Sequence, residues 1–565
     1  MRILNPTTET FEHLDTESRE IMKKTVDFFE SKGKERLKAD YHGKVWYADF
    51  LEFIKKEQIF SKLLTPSQYG KDGCRWDTTR NCDFSEILGF YGLPYWYTWQ
   101  VTILGLGPIW MGNNEAVKKK TARLLEQGEI FAFGLSEKEH GADLYSSEMV
   151  ITQLSEGNYV ADGGKYYIGN ANKAGLVSVF AKDSDTEEYV FFTADPKHEK
   201  YDLVKNVVSS QSYVAEFGLH GYPVAEADIL SRGDHAWDCA LNTINVGKYN
   251  LGWASIGICS HALLEAINHA SKRSLYGKFV TDFPHVQSLM TDAFARLMAM
   301  KLFARRNSDY MRSAFREDRR YLLYNPLTKM KVTTQGEEVI NLLWDVIAAK
   351  GFEKDTYFEM AAIEIRGLPK LEGTVHVNMA LIVKFMSNYL FAPAEMAEIP
   401  KVDTPANDDF LFNQGPTKGL GKTLFHDFEK AYSSVDLPNI AIFRRQIAVL
   451  KEMLMAAPPE KHQSKDIDFL LTLGELFTVV AYGQLIIENA QLRNIDLDIL
   501  DQIFDFMVRD FSKHALELYS KSSSSEKQMD FALKMIKKPN LDPGRFNRVW
   551  ENYVFSLKDT YEMKK

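Results

Sequence analysis

The stretch Leu371-Glu372-Gly373-Thr374 places a carboxylate twenty-one residues beyond Gly351, the glycine of Ala348-Ala349-Lys350-Gly351-Phe352. Taken alone, Glu372 is an acid at the start of an apolar helix, where the helix dipole favours negative charge. Its weight comes from three segments that precede it in fixed order. They are Phe133-Gly134-Leu135-Ser136-Glu137 followed by His140-Gly141-Ala142-Asp143; Gly163-Gly164-Lys165-Tyr166-Tyr167-Ile168-Gly169-Asn170-Ala171; and Arg273-Ser274-Leu275-Tyr276-Gly277-Lys278 followed by Phe283 and Val286-Gln287. No one of these strings decides a fold. Four in this order, spread over roughly residues 10 to 395, do.

Periodicity fills in the architecture around them. Glu20 to Phe29 and Tyr47 to Ile59 carry apolar residues at three- and four-residue intervals and predict helices. Residues 65 to 112 are rich in Gly, Pro and aromatics, among them Tyr91, Tyr95, Trp96, Tyr97, Trp99 and Trp110; such a cluster is more often core than ligand box. Near Ile130 the pattern changes to short β-type runs: Met149-Val150-Ile151-Thr152, Tyr159-Val160-Ala161, Leu176 to Phe180, Tyr189 to Phe192, Val214 to Leu219 and Ile229-Leu230, with Tyr222-Pro223-Val224 between the last two. Helical stripes return near Asn242. Leu251, Ile258, Ala262, Ala266 and Ala270 define one; Val286, Leu289, Ala293, Leu297, Met300 and Ala304 a second; Val339 to Val346 and Val377 to Val383 two more. Four such helices bury their stripes against one another as a bundle. Residues 392 to 422 read as a linker, and a further helical region runs to about 557, including the apolar stretch Leu470 to Leu485. The expected class is mainly α with a central β domain, divided as 1–130 helical, 131–240 β, 241–398 four-helix bundle, and 399–565 linker with a helical extension.

The chain has 565 residues and a net charge of −9. That balance argues against nonspecific nucleic-acid affinity, which needs a basic surface. Cys74, Cys82, Cys239 and Cys259 form no C-x-x-C pair and lack zinc-finger spacing, so they predict buried, idle thiols, and no metal site is expected. Met1 to Glu20 is polar and acidic without a signal-peptide core, and no apolar run reaches the length of a bilayer-spanning helix; the expected location is cytoplasmic. Pro416-Thr417-Lys418-Gly419-Leu420-Gly421-Lys422-Thr423 nearly spells a P-loop, but Pro416 replaces its first glycine and no buried strand precedes it. No G-x-G-x-x-G opens a helix after a strand, so a Rossmann site is not indicated.

In the four segments quoted first, the chain resembles the acyl-CoA dehydrogenase family of flavoenzymes. The resemblance implies FAD lying between the β domain and the bundle, with Glu372 as the base that removes the α-proton of an acyl-CoA thioester. Correct positioning of such a base is worth roughly 10²–10⁴-fold in rate. The resemblance carries Phe133, Leu135, Ser136, Tyr167, Ile168 and Gly169 to the isoalloxazine, Tyr167 standing for the family's usual tryptophan. It carries Arg273 to the pyrophosphate of a neighbouring subunit, and Tyr276, Gln287, Gly351, Thr374 and His376 to further FAD positions. The plainer reading of Arg273 is a last-turn arginine ahead of Gly277 as helix C-cap. The resemblance puts Ala142, Lys248, Tyr95 and Trp99 on the substrate side.

It also implies a homodimer or tetramer, electron-transfer flavoprotein as acceptor, and a C-terminal extension like that of long-chain members. Through Lys537-Lys538, Trp550, Tyr553 and Phe555 that extension would touch a membrane surface, against the blander reading of a solvated helix face. A flavin oxidase, a DNA-binding flavoprotein of the same fold and a degenerate interaction protein are the alternatives. Several positions depart from the family. Ala142 replaces a serine, Gly169 a threonine, Ala348-Ala349 two glycines and Ile363-Glu364 an Arg-Asp pair. Lys248 replaces an arginine, and a point charge does not reproduce a guanidinium fork.

Overall fold

The computed structural model describes residues 2 to 564, apart from Ala142 and the side chain of Leu420. It divides into two compact units. One comprises Thr10–Asn250 and Asp403–Lys418 with the last residues of the chain; the other comprises the first nine residues, Leu251–Val402 and Gly419–Glu562.

The first unit opens with six helices: α1 (Thr16–His42), α2 (Ala48–Lys56), α3 (Ile59–Leu64), α4 (Thr78–Tyr91), α5 (Leu93–Met111) and α6 (Glu115–Glu126). Asp77 caps α4 by accepting from Thr79 N and Arg80 N, which satisfies donors that a helix start leaves orphaned. Eight strands follow: β1 (Ile130–Gly134), β2 (Val150–Ser155), β3 (Asn158–Gly169), β4 (Ala174–Asp183), β5 (Tyr189–Ala194), β6 (Tyr201–Asn206), β7 (Val214–Ala225) and β8 (Ile229–Arg232). Their order is β6-β7-β3-β2-β4-β5-β8, with β1 joined parallel to β4. α5 lies against β1 so closely that a Cβ on Gly105 would meet the Ala132 backbone nitrogen at 2.7 Å, and Ser178 Oγ donates to Gly105 O at 2.7 Å. β7 runs unbroken through Pro223, where the sequence suggested a gap. Pro223 pairs with Val160 of β3, while β6 reaches β7 only between Ala215 and Leu219, so the missing N–H faces a sheet edge.

α7 (Gly233–Lys272) begins in this unit and ends in the other. It starts well before Asn242, since Ala236, Cys239 and Ala240 already supply a buried i, i+3, i+4 face.

The second unit contains the hairpin β9 (Ser274–Leu275) and β10 (Lys278–Phe279), then α8 (Pro284–Arg312), α9 (Tyr321–Leu327), a π-helical turn Thr328–Val332, α10 (Thr333–Ile347), α11 (Tyr357–Glu364), α12 (Val375–Ile382) and α13 (Met386–Phe391). The extension adds α14 (Glu429–Ser433), α15 (Pro438–Ala456), α16 (Ile467–Leu492), α17 (Leu497–Tyr519), α18 (Glu526–Met535) and α19 (Pro543–Val549). α16 is long and apolar enough to cross a bilayer, contrary to the sequence expectation, but 83% of its most apolar window is buried inside the protein. Extension and bundle share a core. Arg296 of α8 forks onto both oxygens of Asp510 of α17 at 2.9 Å and reaches Glu338 of α10 at 2.8 Å.

Candidate active site

In the first unit, the two segments expected to face a flavin are stitched to each other. Tyr166 N donates to Ser136 O at 2.9 Å. Lys165, 1% exposed, sends its ammonium to Leu135 O at 3.1 Å and to Glu137 Oε1 at 2.7 Å. Glu137 also accepts from Ser147 Oγ, Glu148 N and Met149 N. Burial pulls the Lys165 ammonium down to about 8, against the opposing charge of Glu137. Burial raises Glu137, but the Lys165 charge and its hydrogen bonds outweigh that and hold it below the ordinary carboxylate value. Glu137, His140 and Glu148 lie close enough for a metal ion. The ammonium on Glu137 already supplies the positive charge there.

The end of β3 is shaped by a bulge. Its register against β7 shifts between Tyr166 and Ile168, and Tyr167 adopts φ +66°. A bulge re-aims a side chain, and Tyr167 is 47% exposed while Ile168 is 2% exposed. Asn170, at φ +62° and fully buried, donates to Thr98 O at 3.0 Å and Phe131 O at 3.1 Å, so the bulge is locked to α5 and β1. Phe133 and Leu135 are each 8% exposed and Ser136 is half-buried. Where the resemblance implies a threonine at 169, the space is filled from α5: a Cβ on Gly169 would meet Tyr97 Cε1 at 2.7 Å and Val101 Cγ2 at 2.8 Å.

In the second unit, Glu372 sits at φ +53° beside Gly373 at φ +87°. A left-handed non-glycine residue costs on the order of 1–3 kcal/mol and persists only where its surroundings impose it. Those surroundings are visible. Lys329, fully buried on the π-helical turn, donates to Pro369 O at 2.7 Å and to Gly373 O. Asn378 Nδ2 donates to Gly373 O at 3.1 Å and Thr374 O at 3.0 Å, and Thr374 caps α12 by accepting from Val377 N. The turn is therefore held by its carbonyls, and Oε2 of Glu372 is buried. Thr374 and His376 are exposed. Nothing in the sequence singles out Lys329; its role appears only once α9 and α12 are packed.

Arg273 lies beyond the end of α7, and Gly277 is not a helix cap. Tyr276 and Gly277, at φ +53° and +76°, form the two-residue turn of the β9–β10 hairpin, a mirror-image turn that matches strand twist. Arg273 is exposed and Tyr276 is 96% exposed. Gln287 is half-buried and donates to Thr281 O at 2.9 Å. Gly351 is buried behind Ala348, which sits at φ +54°, ψ −138°, a conformation suited to glycine.

The remaining expectations divide. Tyr95 and Trp99 are 1% and 0% exposed and belong to aromatic core: Tyr95 packs on Phe29 and Phe50, and Trp99 on Phe60 and Phe84 with its Nε1 donating to Ser85 Oγ. Lys248 is buried, and Ala142 lies outside the described residues. The P-loop-like segment is engaged by acids, Thr417 with Asp238 and Lys418 with Asp234, which suits no phosphate. All four cysteines are buried and free, and burial pushes Cys239 up to about 12. Trp550 is buried, and Tyr553 Oη donates to Asp496.

A profile of the acyl-CoA dehydrogenase C-terminal domain matches residues 234–387. Over 379 residues the chain is 24% identical to the 3-(aryl)acrylate reductase of Clostridium sporogenes, covering 65% of this chain and 98% of that one. In sequence and in fold the chain is similar to the acyl-CoA dehydrogenase family. That similarity supports a flavin-dependent oxidoreductase with FAD as its cofactor. The caffeyl-CoA reductase-Etf complex subunit CarC of Acetobacterium woodii is 25% identical over 228 residues, 39% of this chain and 59% of that one. The crystal structure of an acyl-CoA dehydrogenase complexed with FAD from Bacillus anthracis aligns with a TM-score of 0.77 at 16% identity, over 98% of this chain and 97% of that one. That fold therefore includes the C-terminal extension.

Proposed function

We propose that the chain uses FAD to dehydrogenate an acyl-CoA thioester to the trans-2-enoyl product, as in fatty-acid β-oxidation. The observation that supports this reading is the Glu372 turn: a carboxylate on left-handed backbone, with the carbonyls beside it pinned by a buried lysine. A site that stores strain in one acid's backbone keeps that acid where a flexible loop would not. The residues of the first unit suit a flavin. Phe133, Leu135 and Ile168 offer apolar wall, and Ser136 and Tyr167 offer hydroxyls. In the second unit, Arg273 stands where the resemblance reaches the FAD pyrophosphate of a neighbouring subunit, and Gln287 and Thr374 stand at further FAD positions. Bound FAD would supply the acceptor for the hydride leaving the β-carbon. Glu372 takes the α-proton as the carbon–hydrogen bond opens, and the pinned turn keeps its carboxylate from swinging away.

Anaerobic titration of the purified yellow protein with thioesters from butyryl to palmitoyl tests the reading: the visible flavin band bleaches, most with the chain length that fits. Glu372→Gln keeps FAD and loses about 10²–10⁴-fold in reduction rate. Unchanged reduction in that variant would remove Glu372 from the mechanism.

The names of two relatives, both reductases, favour a second reading in which the same residues run in reverse, Glu372 returning a proton to the α-carbon of an enoyl thioester. Oxidation of the reduced protein by enoyl thioester, faster than bleaching by the saturated one, selects it. The Etf complex of one relative supports electron-transfer flavoprotein as partner; stoichiometric peroxide in air selects an oxidase instead. The exposed hairpin, with Leu275, Tyr276 and Phe279 outward, supports a homodimer or tetramer. Light scattering of Tyr276→Asp against the native chain tests that.

A further inference from the structure

Of the nineteen residues of α5, Leu93–Met111, all are buried except Leu93 and Tyr97. The helix is otherwise sealed between neighbours and the sheet, and Tyr97 on it is only partly buried. That phenol stands over a position with no side chain of its own: Tyr97 Oη is 3.0 Å and Cε1 2.7 Å from where a Cβ on Gly169 would lie. Residue 169 closes the strand end that carries the bulged Tyr167 and the buried Ile168, and Asn170 bolts that end to Thr98, the residue after Tyr97. The phenol is thus held in register with the flavin-facing segment by α5 itself.

We propose that Tyr97 is a flavin-contacting residue, its ring replacing side-chain volume at 169 and its hydroxyl acting as a hydrogen-bond donor to the edge of the isoalloxazine. This rests on the FAD reading above. A phenol from a rigid, buried helix is a better-positioned donor than a hydroxyl on a strand end, because little of its freedom remains to be lost on binding.

The test uses full-length protein purified with FAD. Tyr97→Phe keeps the ring and removes only the hydroxyl; the expected result is full FAD content, a shifted visible band and a lower midpoint potential, with photoreduction about tenfold slower, the scale of one hydrogen bond. A second pair tests the shared space. On a Val101→Ala background, Gly169→Ser alone displaces the Tyr97 ring and loses FAD, and adding Tyr97→Ala restores it. Tyr97→Phe with native band and potential at full FAD content overturns the proposal. So does failure of Tyr97→Ala to rescue Gly169→Ser, which decides the matter if Tyr97→Phe does not fold. A native chain that binds no FAD at all fails the functional reading instead, and the two failures are told apart by the FAD content of the unmutated protein.

Discussion

The turn at Tyr166–Asn170 and the turn at Leu371–Thr374 solve one problem with different chemistry. Each places non-glycine residues in left-handed backbone, Tyr167 and Asn170 in the first, Glu372 in the second. Each is braced by a lysine that the fold buries, Lys165 and Lys329. Lys165 meets a carboxylate, Glu137, whose own hydrogen bonds reach a third segment, Ser147–Met149. Lys329 reaches backbone carbonyls, Pro369 O and Gly373 O, on either side of Glu372. An ion pair fixes two segments at one point. An ammonium shared between carbonyls fixes the path of a turn.

The largest expected break in this comparison is Lys165→Met. It strands Glu137 as a buried charge and costs about 3–5 kcal/mol, measured by urea unfolding. Glu137→Gln with Lys165→Met recovers most of it; equal losses in single and double variants would show that the pair is not the brace. Lys329→Met takes the lysine donor from Pro369 O, leaves Gly373 O to Asn378 alone, and costs about 1–3 kcal/mol. It also slows flavin reduction by about 10²-fold at unchanged FAD content, because Glu372 is no longer held. Loss of stability without loss of rate would reduce Lys329 to packing.

The charged pair also titrates. The folded chain holds the Lys165 proton less tightly than the unfolded chain, about 8 against an ordinary 10.5. Stability relative to the Glu137→Gln, Lys165→Met variant therefore rises as pH climbs through that window, by about 3 kcal/mol. Glu137 acts at the other end. Held below its ordinary 4.5, it contributes fully above that pH and loses its contribution as pH falls further. Thermal melts at stepped pH check both limbs, and a flat difference across the alkaline window would contradict the lysine's assignment. The smallest effect sharpens the comparison from outside. Ala348 is also left-handed, so Ala348→Gly relieves backbone strain and raises stability by up to about 1 kcal/mol, read as a higher melting temperature.

Much of the fold was legible because its signals are local. The stripes from Leu251 to Ala270 and from Val286 to Ala304 became α7 and α8, and the short β runs after Ile130 became the sheet. Misreadings occurred where a local rule met a tertiary exception. Pro223 suggested a strand break, but a sheet edge tolerates it. Gly277 suggested a helix cap, but α7 had already ended at Lys272 and the glycine turns a hairpin. Lys329 carried no signal at all, because a lysine among Thr328, Met330 and Lys331 looks like any helix-surface residue.

By itself, the sequence determined which residues are apolar at which period, where acids and glycines sit, and hence the order of helices and strands and the candidacy of Glu372. These follow from covalent order and near-neighbour sterics. Only the tertiary structure decided which charges are buried, which carbonyls a lysine reaches across forty residues, and that a tyrosine on one helix fills the space of an absent side chain on a strand. Those depend on distances between segments far apart in the chain, and such distances exist only after packing.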